Sequence, residues 1–477
     1  MKSITGSIVL ALVLGAGSAC LSCSSRHTSA DVSGDDPPNV VLIIVDALRA
    51  DLLGCYGFQR KISPEFDEIA DGGVLFETTI SQCSWTRPSI ASMLTSLYPR
   101  TLGMYKEQFD ILADRFLTLS EILKENGYST VGITANPHLN EAFNFHQGFD
   151  RYFETAMTWG EMRAQERTRA RKRGLGRQLP TSIEVYDRIL GTVEDIGEGP
   201  TYVQINVMEV HSPALVRHEY KYIFDSYDVR LRDGYSPKTR ARLKHLVRRT
   251  YAGVGQISHD TAEFIDELTS LPGWENTLFV ITSDHGQGLI DHPDVESSTL
   301  HGNLLYESQV LVPLILYNPA DSVRVCGGRR VKTKVRLLDV LPTVLDYVGI
   351  APPAGIQGKS LLPLAAGVGE PPNLPRVFVA ETNWREVDKI AAYGDEWKYI
   401  ENRDGWEGVN SHELQRMGVV ENGKLTDQVE IYGDEAGRLS DFLAWWEEAH
   451  PRVESTQPSE DPSEEELDQL RSLGYIK

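Results

Sequence analysis

The chain has 477 residues, of which 47 are Lys or Arg and 68 are Asp or Glu, for a formal net charge of −21. That acidic balance argues against a nucleic-acid or anionic-membrane surface as partner, because like charges repel. The length gives room for one large α/β domain and a smaller one, with a core able to stand alone.

In chain order, Lys2, the apolar stretch Ile8–Leu14 and the small residues Gly15 to Ala19 lead to Cys20. They read as a secretory signal rather than a membrane span. Residues 1–23 are then a lipoprotein signal with Cys20 or Cys23 lipidated, and the polar residues 24–38 a flexible tether. The expected location is the cell envelope, periplasmic or on the outer surface, with a lipid anchor into the membrane. Val40 to Val45 is wholly apolar and stops at Asp46, the signature of a strand covered on both faces of a parallel sheet. Thr118–Asn126 reads as a helix, and Thr130–Ala135 as a strand that ends at Asn136. Trp159–Arg177 is a basic, helix-prone insertion read as solvated. Ser182–Ile196 is helical, Tyr202–Val207 is a strand running on to Glu209 and His211, and Lys238–Leu268 is helical. Leu278–Ser283 is a strand that stops at Asp284-His285, and Leu338–Val348 is helical. This alternation predicts a parallel sheet of βα units across residues 39–375. Beyond Arg376, Val377–Ala380, Lys389–Tyr393 and Trp397–Ile400 read as short strands of a small C-terminal α+β subdomain, residues 376–477. Its acidic run, Glu460 to Asp468, reads as a solvated linker. Cys55, Cys83 and Cys326 are too scattered for a disulfide framework or a metal-spaced cluster.

A single Asp that ends a strand is best explained as a turn or a helix cap. Here the pattern repeats at Asp46, at Asn136, at Glu209 and His211, and at Asp284 and His285. Polar groups at the carboxyl ends of parallel strands face the crevice where α/β folds bind ligands, so the pattern points to a metal site.

Five ordered blocks then carry a resemblance: NVVLIIVDALRADLLGCYG, CSWTRPSIASMLTSLYPR, TSDHGQG, HGNLLYESQVLVPLIL and LLDVLPTVLDYVGI. Together they resemble the sulfatases of the alkaline phosphatase superfamily over about Asn39 to Leu362, and the closing LRSLGYIK is similar to an ending common in that group. The resemblance implies an α/β sandwich with a large central mixed, mostly parallel sheet flanked by helices. It also implies one essential divalent metal. In sulfatases the nucleophile is a cysteine oxidised to formylglycine, followed by Pro two places on and Arg four places on. Aligned on Leu94-Thr95, that nucleophile position falls on Thr86, Pro88 is retained and the Arg position is Ile90, so no formylglycine is expected. A shifted register, Cys83 with Arg87, lacks the proline and lies three residues too far from Leu94-Thr95.

Threonine is usable there. At a helix N-terminus beside a divalent cation its hydroxyl gives up a proton more readily, since dipole and cation both stabilise the alkoxide. Phosphodiesterases, lipoteichoic acid synthases and phosphoethanolamine transferases of the superfamily use a threonine in this way. A plain N-cap role for Thr86 is compatible with the same sequence. By position matching, Asp46, Asp284, His285 and Thr86 resemble the metal ligands. Ala47 stands where many sulfatases carry a second Asp, and His285 where they often carry Asn, which shifts preference toward zinc or manganese and leaves calcium or magnesium open. His301 occupies the place of an anion-contacting lysine, and His211 resembles a substrate-contacting histidine; both are assigned to catalysis. Arg49, Asn136 and His292 are assigned to substrate binding, with Asp291 beside them. The expected activity is metal-dependent hydrolysis of sulfuric esters on a small molecule, glycan or lipid. The alternatives are a phosphodiesterase, phosphomonoesterase or phosphoethanolamine-type transferase, and a non-catalytic binding lipoprotein.

Overall fold

The structure, a computed structural model, describes residues 37–105, 110–155, 181–212, 214, 216–231, 235–290, 301–325, 327–384, 387–403, 405, 410–418 and 427–455. The expected signal, most of the tether, the basic insertion, Asp291, His292, Cys326, the acidic run and the closing LRSLGYIK lie outside the described residues.

Strand β1 (Asn39–Val45) is buried along its whole length. Val40, Leu42 and Ile44 point into one apolar cluster and Val41, Ile43 and Val45 into another, as the two-residue period of a strand requires. Strands β2 (Val74–Phe76), β3 (Ser129–Thr134), β4 (Arg151–Glu154), β5 (Thr201–Val207), β6 (Thr277–Thr282), β7 (Leu314–Tyr317) and β8 (Arg329–Val331) complete an eight-stranded sheet of order β8-β2-β7-β6-β1-β5-β3-β4. Only β7 runs antiparallel to its neighbours in this sheet. Helices α1 (Pro64–Gly72), α2 (Thr86–Thr95), α3 (Leu119–Glu125), α4 (Ser182–Val193), α5 (Pro237–Ser270) and α6 (Val340–Tyr347) flank it. Apolar residues of α2, α3 and α6 fill the first cluster, and those of α1, α4 and α5 fill the second. The sheet is therefore sandwiched, which is why its central strands read as unbroken apolar runs.

Boundaries shift by one to three residues from the sequence expectation. Thr118 is the cap of α3: its Oγ1 accepts from the Glu121 N–H at 3.2 Å while the Glu121 carboxylate accepts from the Thr118 N–H at 2.8 Å. The expected helix from Leu338 opens as a 3-10 turn, Leu337–Asp339, where the Asp339 carboxylate accepts from the Arg336 N–H at 2.9 Å.

The C-terminal sheet is antiparallel, with β9 (Phe378–Thr382), β10 (Lys389–Tyr393), β11 (Trp397–Asn402) and β12 (His412–Arg416) in sequential order. Helix α7 (Gly433–Ala449) covers one face through Leu439, Leu443 and Trp446. The other face, through Phe378, Ala380, Ala391 and Ile400, packs on Leu304, Leu305, Tyr306 and Val310. Neither β12, with Leu414 its lone apolar side chain, nor α7 was marked by the sequence pattern. Among the described residues no helix is long and apolar enough to cross a membrane.

Candidate active site

The parallel register brings the critical ends together. Ile44 pairs with Asn206 and with Thr282, so Asp46 and Asp284 leave the sheet on adjacent strands. Just past β1, Ala47 adopts φ +61, a left-handed conformation that costs a residue with a Cβ roughly 1 kcal/mol. The turn aims the Ala47 N–H at Asp284 Oδ1 (3.2 Å) and the Leu48 N–H at Ser283 Oγ (2.9 Å). The two acidic turns are thereby locked face to face.

Both carboxylates are fully buried. Asp46 Oδ2 accepts from Asn136 Nδ2 at 2.6 Å, and Asp284 Oδ1 also accepts from the His285 N–H at 2.8 Å. The other oxygens, Asp46 Oδ1 and Asp284 Oδ2, have no hydrogen-bond partner among the described residues. His285 Nδ1 lies 2.8 Å from the Gly286 carbonyl. A carbonyl only accepts, so Nδ1 carries the proton and Nε2 the lone pair. That lone pair sits 3.3 Å from Asp284 Oδ2 and 3.8 Å from Asp46 Oδ1. One ligand atom from each of the three residues lies within 4.8 Å of the others. Burial, and after it the facing Asp284 carboxylate, pushes the Asp46 carboxyl well above the usual carboxylate range. Two unsatisfied, desolvated carboxylate oxygens beside an imidazole lone pair are costly by themselves and fit a divalent cation of mixed oxygen and nitrogen preference.

Thr86 is placed differently from the capping alternative. Trp85, in extended conformation, is the N-cap of α2, and Thr86 is the first helical residue. Its Oγ1 turns to His285 Nε2 at 3.3 Å and lies 3.5 Å from Asn136 Nδ2. The helix is tied to the acidic turn by Ser89 Oγ, which donates to the Asp284 carbonyl at 2.6 Å. Cys83, the shifted-register candidate, is buried in the apolar core, where burial raises its thiol pKa far above the ordinary value. Ile90 packs in that same core.

His301 stacks on His285, with ring centroids 4.4 Å apart and planes 27° from parallel. Its Nε2 meets His211 Nε2 at 3.0 Å, so one of the two carries the shared proton. Burial, and then His285, holds the His211 imidazole well below its ordinary value. Arg49 lies behind the turn: Nε and Nη2 make a two-pronged pair with Asp51 at 2.8 and 2.6 Å, and Nη1 donates to the Gln287 carbonyl at 3.1 Å. Asn136 bridges Asp46 and Thr86, and its Oδ1 caps the following turn through the His138 N–H at 2.9 Å. His292 lies outside the described residues.

The structure adds residues that the sequence reading passed over. His138, two places beyond Asn136 in TANPHL, and Trp384, just past β9, stand beside Trp85, with ring centroids 6.4 and 4.9 Å from it. Trp384 gave no sequence signal, because an isolated aromatic after a short strand has no periodicity to betray it.

A family model described as Sulfatase matches residues 38–350. An ulvan-active sulfatase from Formosa agariphila is 25% identical over 352 residues, covering 72% of this chain and 68% of that protein. Human iduronate 2-sulfatase is 25% identical over 422 residues, covering 73% and 75%. Among solved structures, the phosphonate monoester hydrolase of Agrobacterium radiobacter superposes with a TM-score of 0.68 at 17% identity, covering 87% of this chain and 96% of that one. A protein in complex with its substrate D-glucosamine-2-N,6-O-disulfate superposes with a TM-score of 0.71 at 15% identity, covering 90% and 100%. At these identities the superpositions speak for the fold.

Proposed function

The chain belongs to the sulfatase family, as the match over residues 38–350 shows, and from that premise we propose that it hydrolyses sulfuric esters with Thr86 as nucleophile. Membership makes it a hydrolase of ester bonds; the nucleophile, the metal and the substrate are the finer reading. The observation that carries it is the Thr86 hydroxyl, which turns away from capping and lies 3.3 Å from His285 Nε2, beside Asp46 and Asp284.

A divalent cation held by Asp46, Asp284 and His285 with Thr86 alongside, zinc or manganese before calcium or magnesium, would supply Lewis-acid stabilisation of developing negative charge. The chain's own residues do the rest. Helix α2 begins at Thr86, so the positive end of its dipole stabilises an Oγ alkoxide. Asn136 Nδ2 holds Asp46 on one side and lies within reach of Oγ on the other. Attack forms the Thr86 Oγ–S bond and breaks the bond from sulfur to the leaving oxygen. That oxygen takes a proton from the His301–His211 pair, and the proton that the Thr86 hydroxyl gives up on attack passes through solvent to restore the pair. Water then cleaves the threonyl ester and releases sulfate. The ulvan-active and iduronate sulfatases among the relatives support a sulfated glycan as substrate.

Cleavage of a phosphoester is the second reading, and Thr86 itself favours it: a threonyl adduct has no geminal hydroxyl with which to expel the anion, so it must turn over by direct hydrolysis. Paired 4-nitrophenyl sulfate, phosphate monoester, phosphate diester and phosphonate substrates, offered after metal reconstitution, separate the two. Loss of turnover in Thr86→Ala with sulfate preferred supports the main reading, and a preferred phosphorus ester supports the second. Turnover that survives Thr86→Ala overturns both. Export and lipid anchoring belong to the same proposal, supported by residues 1–23, and labelled palmitate that enters neither at Cys20 nor at Cys23 would remove them.

A further inference from the structure

The loop that carries His301 is gripped by the C-terminal sheet. Thr382 Oγ1, at the end of β9, donates to the Gly302 carbonyl at 2.5 Å, and Tyr393 Oη, on β10, donates to the Leu305 carbonyl at 2.5 Å. Gly302 has φ +88, a conformation that favours glycine. A Cβ on Gly302 would stand 2.7 Å from Trp384 Cγ. The indole therefore rests on the backbone directly after His301, at the one residue type that leaves it space.

Trp384 also touches the walls around Thr86. Its ring lies 4.9 Å from Trp85, the residue before Thr86, 6.3 Å from His138 and 5.8 Å from His301. His301 is thus bounded by His285 through stacking, by His211 through a hydrogen bond, and by Trp384 together with the turn at Gly302. Of these restraints, only the last comes from the C-terminal sheet.

We infer that Trp384 is a positioning residue: seated on Gly302, it fixes the His301 imidazole where it shares a proton with His211. The catalytic body then depends on its C-terminal sheet for the acid side of the reaction, while the two acidic turns are joined to each other through the Ala47 and Leu48 N–H groups. The kinetic consequence rests on the proposed role of His301 as proton donor; the positional claim does not.

The experiment separates the two. Turnover of 4-nitrophenyl sulfate, whose leaving group needs no proton, is compared with glucose 6-sulfate, whose leaving group does, and the corresponding phosphates are run in parallel. His301→Ala is expected to lose about 100-fold on the glucose ester and far less on the nitrophenyl ester. Trp384→Ala is expected to follow the same split, Trp384→Phe to recover most of it, and the double variant to be little worse than His301→Ala alone. Gly302→Ala keeps the indole but removes its seat and should reproduce the split; it replaces Trp384→Ala if that variant does not fold. In parallel, the imidazole ¹⁵N resonances of His301 and His211 are recorded in the wild type and in each variant. Shifted resonances support the clamp. Unchanged resonances in Trp384→Ala or Gly302→Ala overturn it, whatever the kinetics. If the resonances move but His301→Ala loses both esters equally, the clamp stands and the proton-donor role falls.

Discussion

Asp284 and Asp339 are both fully buried carboxylates, and the chain treats them in opposite ways. Asp339 accepts from Arg336 Nη2 at 2.7 Å, Arg336 Nε at 3.2 Å, the Arg336 N–H at 2.9 Å and the Lys359 N–H at 2.8 Å. Both of its oxygens are matched and its charge is neutralised on the spot. Asp284 has one oxygen matched by two N–H groups and one without a hydrogen-bond partner among the described residues, and it faces Asp46, which likewise has one oxygen matched, by Asn136, and one not. The comparison teaches where architecture ends. A buried acid with its own guanidinium holds the fold together, and Arg100 with Glu381 and Arg217 with Asp260 repeat that arrangement. Two buried acids facing each other beside a histidine lone pair form a group that could hold a metal ion.

The largest effect expected from this difference is at that group. Asp46→Asn keeps an oxygen for Asn136 to donate to but removes a charge. Turnover should fall at least about a thousand-fold, since several kcal/mol of charge stabilisation depend on the cation. The metal-free variant should nonetheless melt higher than the metal-free wild type, because the repulsion is gone. Elemental analysis, steady-state kinetics and a thermal melt check the three parts; a metal-free variant that melts lower would make Asp46 architectural after all. Asp339→Asn should do the reverse. It leaves Arg336 buried without its counter-charge, at a cost of about 3 to 5 kcal/mol in a urea titration, with metal content per folded molecule unchanged. A loss under 1 kcal/mol would break the comparison.

How far the site was legible follows from the same physics. Asp46, Asn136, Asp284 and His285 could be found because each follows an apolar run, and parallel register then delivers them to one edge. Thr86 was legible as a position, but its duty as cap or free hydroxyl turned on whether the first helical residue is 86 or 87. The extended backbone of Trp85 decides that, and no local pattern states it. The contact between His211 and His301 joins residues 90 apart in sequence, and the grip of β9 on Gly302 joins residues 80 apart. Such pairs leave no trace in periodicity. The C-terminal strands read as a small subdomain, and no sequence pattern announces that one face of their sheet packs against the loop that carries His301.

Glu209 sharpens the comparison as an intermediate case. One of its oxygens accepts from the Ser182 N–H and the other has no partner among the described residues. Burial, the largest influence, raises its carboxyl from 4.5 to about 7, and Asp260, itself paired with Arg217, adds to this. Because the folded state holds this proton more tightly than the unfolded state, stability falls as pH rises from about 4.5 to 7. Glu209→Gln removes that slope. Its advantage over wild type should be near zero below pH 4.5 and about 2 to 3 kcal/mol above pH 7 in urea titrations. An advantage that does not change with pH would mean that the side chain acts through shape and not through charge.

The smallest effect expected sets two threonines against each other. Thr118 and Thr86 both stand at the start of a helix, and both look like caps in sequence. Thr118 Oγ1 accepts from the Glu121 N–H, so Thr118→Ala should cost about 1 kcal/mol of stability with turnover unchanged. Thr86 lies one residue inside its helix, with Oγ1 turned to His285 and Asn136, so Thr86→Ala removes no capping bond and should change stability by less than about 0.5 kcal/mol while abolishing turnover. Equal stability losses in the two variants would mean that the Thr86 hydroxyl serves the fold. A loss confined to Thr118 would leave chemistry as the reason this hydroxyl is buried beside two acids.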